Sequence, residues 1–276
     1  MPELPEVETI RRTLEKLILN KKIADITVHW PKIIQVPDDV VHFKQLLIGE
    51  KFNKMERRGK FLLFYLDHFV LVSHLRMEGK YHVVSKEEPV TKHTHVIFHF
   101  TDGTELRYND VRKFGTMHVF PIGEEFLQKP LSQLAPDPFD STYTFEFVAK
   151  KLRKTTRSIK AALLDQTVIA GLGNIYVDET LFLAQIHPEK RAHTLSEKEL
   201  KTIVENATMV LAKAVEQGGT TIRSYVNGHG EMGMFQQELF VYGQEDKLCK
   251  HCGELIVKMK VAGRGTHICP SCQPKL

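Results

Sequence analysis

Apolar positions follow two rhythms along this chain. From Pro5, the residues Val7, Ile10, Leu14, Leu17 and Ile18 recur at three- and four-residue spacing, which predicts an amphipathic helix. Pro5 suits its first turn, and the early glutamates complement the positive end of its dipole. From residue 22 to about 120 the pattern turns to alternation and short apolar runs. Ile26, Val28 and Trp30 alternate; then come Phe61–Leu66, Phe69–Leu75, Lys80–Val84, His93–Phe100, Glu105–Tyr108 and Thr116–Phe120. Asp102-Gly103 between two runs marks a hairpin. Successive strands without intervening helices predict an antiparallel β-sandwich or barrel.

A Pro-rich passage, Pro130 to Pro138, reads as a linker, and the helical period then returns. Helices are expected at Phe145–Leu152, Ser158–Gln166, Asn174–Ala184 and about Ser196–Gln217. The last opens on a capping box, Ser196 with Glu199, and stops at Gly218-Gly219. Its buried stripe is Leu200, Ile203, Val204, Ala207, Val210, Leu211 and Ala214. Residues 219–235 show no sustained period and read as either a linker or a functional loop.

Length allows two ordinary domains plus a small module, and 42% apolar residues support real cores. No apolar run approaches a membrane span, and Glu3, Glu6 and Glu8 stand where a signal peptide carries basic residues. The expectation is a soluble intracellular protein with no membrane partner, and nothing points to oligomerisation, so a monomer is expected. The net charge of +4 is a weak signal, but its distribution is informative. Lys51, Lys54, Arg57, Arg58 and Lys60 are opposed locally only by Glu56, and Lys250, Lys258, Lys260, Arg264 and Lys275 only by Glu254. Such clusters fit a polyanion or a solvated face.

Two stretches carry candidate chemistry. Once the initiator methionine is removed, Pro2 is a secondary amine whose ring restricts its motion. An α-amine of pKa about 7.7–8.0 is partly nucleophilic near neutrality, and Glu3 beside it can move a proton. The same residues also read as a frayed tail. At the other end, Cys249-x-x-Cys252 and Cys269-x-x-Cys272, sixteen residues apart, are the only cysteines. Four thiolates at that spacing close a tetrahedral, structural zinc site, one Zn²⁺ per chain, with disulfides as the alternative. Between the pairs, Gly263-Arg264-Gly265 sets an arginine at a hairpin tip where it can approach a phosphate.

In order, Met1-Pro2-Glu3-Leu4-Pro5-Glu6-Val7-Glu8-Thr9, Arg57-Arg58-Gly59-Lys60-Phe61, Arg112-Lys113-Phe114-Gly115, Gly171-Leu172-Gly173-Asn174-Ile175-Tyr176 and the cysteine hairpin together resemble the bacterial formamidopyrimidine-DNA glycosylases. The resemblance covers essentially the whole chain. It implies a multidomain α+β fold: an N-terminal helix plus β-sandwich catalytic domain (1–134), a helix–two-turns–helix DNA-binding domain (135–236) and a zinc finger (237–276). It implies a cytoplasmic, nucleoid-associated repair enzyme whose partner is double-stranded DNA carrying oxidised bases or abasic sites. Pro2 would attack C1′ of an oxidised purine nucleotide, Glu3 would protonate the sugar ring oxygen, and β- and δ-elimination would cut the strand. Lys60 and Arg264 match proton-transfer positions, although an arginine serves better as a phosphate clamp.

The resemblance also implies that Met77, Arg112 and Phe114 fill the gap left by the everted base. Taken alone, Met77 and Phe114 end apolar strands and are expected in the core. Asn174 matches a phosphate contact at a helix N-terminus, where Gly171 and Gly173 allow close backbone approach. His74, His93, Tyr242 and Lys258 match further positions around the DNA backbone. His93 and His95 share a strand face, but two histidines make poor evidence for a metal. Lys154, in the run with Lys150, Lys151 and Arg153, lies on a phosphate path or a solvated face. Ile222, Arg223, Ser224 and Tyr225 fall in the lesion-recognition loop. Two alternatives stay open: an endonuclease VIII-like enzyme for oxidised pyrimidines, and a non-catalytic zinc-ribbon DNA-binding protein.

Overall fold

The computed structural model describes residues 1–220 and 234–275. The chain forms two compact units, one from Met1–Pro2 and Glu6–Ser132, the other from Glu3–Pro5, Gln133–Thr220 and Met234 onward. Among the described residues, no helix is long and apolar enough to cross a membrane.

The first unit holds most of helix α1 (Leu4–Ile18) and nine strands. These are β1 (Ile23–Val28), β2 (Ile34–Val36), β3 (Lys54–Arg58), β4 (Phe61–Tyr65), β5 (Phe69–His74), β6 (Lys80–Ser85), β7 (Thr94–Phe100), β8 (Thr104–Asn109) and β9 (Thr116–Pro121). They make a four-stranded sheet, β1-β7-β8-β6, and a five-stranded sheet, β2-β9-β5-β4-β3. One core serves both sheets, and α1 adds Val7, Ile10, Leu14 and Ile18 to it. Phe52 sets its ring edge-on to Phe64 of one sheet and to Phe98 and Phe100 of the other.

The structure departs from the sequence expectation in several places here. A helix, α2 (Val40–Leu47), interrupts the strands; Asp39 caps it by accepting from the His42 N–H. β2 pairs with β9 in parallel, so the sandwich is not wholly antiparallel. Trp30 stands outside β1, just before a short 3₁₀ turn at Pro31–Ile33. His93 lies in the turn before β7, and His95 is buried with Nε2 2.6 Å from the Asp110 carbonyl, so the two do not form a ligand pair.

In the second unit the helices are α3 (Phe145–Leu152), α4 (Ile159–Leu163), α5 (Asn174–Leu183) and α6 (Glu197–Glu216). The expected capping box is present: the Ser196 N–H donates to Glu199 at 2.8 Å, and the Glu199 N–H to the Ser196 hydroxyl at 3.2 Å. Leu200, Ile203, Ala207, Val210, Leu211 and Ala214 are buried, each worth about 1–3 kcal/mol. α4 stops three residues earlier than expected, at Leu163. Gly218 and Gly219 follow α6 with φ of 74° and 78°. The unit closes with a hairpin of β10 (Val257–Val261) and β11 (Arg264–Ile268). Its turn residues Ala262 and Gly263 both have positive φ (48° and 77°), the geometry that matches hairpin twist.

Candidate active site and nucleic-acid interface

Glu3 is buried at the start of α5. Its carboxylate accepts from the N–H groups of Gly173 (2.7 Å), Ile175 (2.9 Å) and Tyr176 (3.3 Å), which have no partners within the helix. The helix dipole adds to the attraction. Gly173 makes the seat possible, because a Cβ there would lie 2.3 Å from the Glu3 carboxyl carbon. Two residues earlier, the Gly171 carbonyl accepts from the Leu4 N–H at 3.1 Å. Gly171 has φ +96°, and a Cβ on it would lie 2.4 Å from the Leu4 side chain. The Gly-Leu-Gly segment thus seats the Glu3 carboxylate and the Leu4 backbone at the start of α5. Pro2, joined to Glu3, is buried, and with Met1 in place its nitrogen is an amide.

Further polar groups in this unit gather near Glu3. Asn174 donates from Nδ2 to the Gly265 carbonyl at 2.9 Å, and the same carbonyl accepts from Lys160 Nζ at 3.1 Å. Lys160 is fully buried and pairs with Asp178 at 2.6 Å. Burial pulls the Lys160 ammonium down from its ordinary range; Asp178, and then Glu3, oppose this, while Arg264 adds to it. Asp178 also accepts from the His267 N–H at 3.0 Å, so helices α4 and α5 grip strand β11 beside the exposed Arg264. Burial raises the half-buried Tyr242 phenol, with Asn174 pulling it down and Glu3 and Asp178 pushing it up. Glu179 accepts from three consecutive N–H groups, Phe240, Val241 and Tyr242 (2.8, 2.9 and 2.9 Å), fixing the approach to the hairpin. Lys160, Asp178 and Glu179 were missed from sequence; the available signal was charge inside otherwise apolar helices.

The four cysteine sulfurs lie within 4.8 Å of one another. Thiolates about 2.3 Å from a central ion stand about 3.8 Å apart in a tetrahedron. The Cys249–Cys272 and Cys252–Cys269 sulfur separations of 3.9 and 3.4 Å fit that arrangement and are far too long for disulfides. The donor set therefore fits a structural zinc ion. Lys258, on β10, is exposed and paired with Glu245 at 3.2 Å.

In the first unit, Lys60 occupies the two-residue turn between β3 and β4 and is buried. The neighbouring basic run is partly internal: Arg57 reaches Glu8 at 3.3 Å and donates to the Gly59 carbonyl at 3.0 Å. His74 is buried with its ring edge-on to Phe61, and its Nδ1 accepts from the Arg76 N–H at 2.9 Å. Burial drives its pKa down to about 3, with Arg76 and Lys60 assisting, so it is neutral at physiological pH and its proton sits on Nε2. Met77 and Phe114 are 39% and 51% exposed, which corrects their reading as core residues. Arg112 stacks its guanidinium over the Phe114 ring at 4.7 Å. The buried Asp110 carboxylate organises this segment by accepting from the N–H groups of Arg112, Phe114 and Gly115 at 2.8–2.9 Å. Gly79 and Gly115 both press on the Tyr108 hydroxyl, where a Cβ would lie 2.1 and 1.8 Å away, so one tyrosine supports the Met77 and Phe114 segments together. His93 is half-buried and Lys154 exposed. Ile222, Arg223, Ser224 and Tyr225 lie outside the described residues.

Comparison with known proteins agrees along the chain. Residues 1–117 match the formamidopyrimidine-DNA glycosylase N-terminal domain, 134–226 the H2TH domain of the same enzymes, and 246–275 a zinc finger found in FPG and IleRS. The formamidopyrimidine-DNA glycosylase of Oceanobacillus iheyensis is 62% identical, over 99% of this chain and 98% of that protein. That of Cytobacillus firmus is 57% identical, over 99% and 100%. Among solved structures, a Lactococcus lactis FPG mutant bound to Fapy-dG-containing DNA superimposes with TM-score 0.93 at 43% identity, covering 99% of this chain and 100% of that one. A complex of the Lactococcus lactis enzyme with abasic-site DNA has TM-score 0.92, again at 43% identity and with coverage of 99% and 100%. With three domain matches in series and relatives of this identity over their full lengths, the chain belongs to the formamidopyrimidine-DNA glycosylase family.

Proposed function

We propose that this chain is a bifunctional DNA glycosylase and abasic-site lyase that removes oxidised purines, 8-oxoguanine and formamidopyrimidines, from duplex DNA. The observation that carries the reading is the seating of Glu3 by three N–H groups of α5, which holds the residue next to Pro2 still. A frayed tail would have no such partners. After Met1 is removed, the Pro2 nitrogen attacks C1′, the damaged base leaves with the glycosidic electron pair, and ring opening gives an iminium. The Glu3 carboxyl group passes the proton to the ring oxygen. β-Elimination and then δ-elimination break the two C–O bonds to phosphate, and water releases the enzyme.

Lys60 and Arg264 contact the phosphates flanking the lesion, with Lys60 also moving protons. Asn174, Tyr242, Lys258, His74, His93 and Lys154 contribute along the backbone, and Met77, Arg112 and Phe114 fill the vacated stack. As a neutral ring with its proton on Nε2, His74 acts as a hydrogen-bond donor and not as a cation. Zinc held by Cys249, Cys252, Cys269 and Cys272 supplies fold stability only, since four thiolates leave no open position. Single-turnover excision from matched duplexes carrying 8-oxoguanine or thymine glycol tests the substrate class. Faster release of 8-oxoguanine is expected; preferential release of thymine glycol would transfer the chain to the oxidised-pyrimidine branch.

A further inference from the structure

The segment bearing Arg112 and Phe114 contains a residue that points the other way. Asp110 collects the N–H groups of Arg112, Phe114 and Gly115 but not that of Lys113. Lys113 has φ +59°, a left-handed conformation unusual for a residue with a side chain. Its ammonium lies 4.1 Å from the centre of the Trp30 ring, the shortest such contact among the described residues. Trp30 is the only tryptophan in the chain and is half-buried against the sandwich core. The backbone on either side of this contact is tied together. The N–H groups of His29 and Trp30 reach the His95 carbonyl at 2.8 and 3.4 Å, and the His95 ring binds the Asp110 carbonyl. Trp30, His95 and Asp110 thus form a continuous support beneath the exposed pair.

We infer that Trp30 and Lys113 are positioning residues: the lysine, latched on the indole face, holds Arg112 and Phe114 outward in the conformation that enters duplex DNA. Neither touches the reacting atoms. The left-handed turn at Lys113 sends its side chain to the sheet while its two neighbours stack on each other and stay exposed. The preorganisation lowers the ordering cost at insertion. The inference rests on the glycosylase reading above, because only an enzyme that everts a base needs such a wedge.

The test uses the full chain with Met1 removed, as wild type and as K113M, K113R and K113G. Single-turnover excision of 8-oxoguanine from a duplex is compared with borohydride trapping on a single-stranded abasic oligonucleotide, which needs no wedge. Loss of an exposed cation–π contact predicts a decrease of roughly threefold to fivefold in duplex excision for K113M. K113R restores it, and single-strand trapping is unchanged throughout. K113G, which accepts positive φ without strain, melts no lower than wild type yet excises more slowly. Trp30 emission shifts in K113M but not in K113R. Wild-type duplex excision by K113M, equal losses on both substrates, or failure of K113R to restore activity would overturn the inference. Failure of the wild type to trap on either substrate would instead sink the glycosylase reading, and the inference with it.

Discussion

Replacing Gly173 by alanine isolates the fit between the amino terminus and α5. Gly173 has φ −128° and ψ −159°, which alanine adopts freely, so the perturbation is steric. The new Cβ would lie 2.3 Å from the Glu3 carboxyl carbon and 2.5 Å from Oε1. Restoring ordinary contact moves the carboxyl group by roughly 1 Å. That movement breaks the 2.7 and 2.9 Å bonds from Gly173 and Ile175. Bonds to a charged group are worth about 1.5–3 kcal/mol each, and partial relaxation leaves a net loss of about 3 kcal/mol. At about 2–4 °C per kcal/mol, the melting temperature falls by roughly 6–12 °C. A shift of about 1 Å at a reacting group costs about a hundredfold in rate. Melting and single-turnover excision are measured for G173A, E3A and the double variant. With Glu3 truncated the clash is gone, so adding G173A to E3A changes stability by less than about 1 kcal/mol. An unperturbed G173A, or an equal penalty with and without Glu3, would refute the proposed seat.

Two further outcomes follow from the chemistry of the site. Stripping zinc with a chelator should unfold the β10–β11 hairpin and abolish duplex binding, with both restored by added Zn²⁺; tight binding by metal-free protein would rule out the structural role. His74 has a folded pKa of about 3 against 6.5 for an unperturbed histidine, so the unfolded chain binds the extra proton between those values. Stability is therefore full above about pH 6.5 and declines as pH falls towards 3, by about 3 kcal/mol from this residue at pH 4.5. His118, lowered to about 4, acts in the same direction. Melting curves of wild type and H74N from pH 7.5 to 4.5 should converge as pH falls, and parallel curves would contradict the assignment.

What could be read from the chain without coordinates depended on the range of the interactions. Helix α6 announces itself through a local capping box and a periodic stripe, and the two cysteine pairs through spacing alone. Helix α2 was hidden because its eight residues, dense in apolar side chains, resemble a short strand; Asp39 was the overlooked cap. β3 was hidden by its own charges, Lys54, Glu56, Arg57 and Arg58, of which Arg57 is met by Glu8 of α1. The role of Gly173 could not be read locally, since the atom it makes room for belongs to Glu3, 170 residues earlier. Phe114 reads as the end of an apolar strand; only the Asp110 carboxylate and the left-handed Lys113 turn it outward.

If Pro2 is the nucleophile, borohydride reduction in the presence of abasic-site DNA captures it as a stable amine. With Met1 removal verified by mass, the wild type should become covalently attached to the DNA, with the adduct mapping to Pro2 and P2G trapping far more weakly. No adduct from a protein whose amino terminus is proline, or an adduct mapping to a lysine, would rule Pro2 out as the nucleophile.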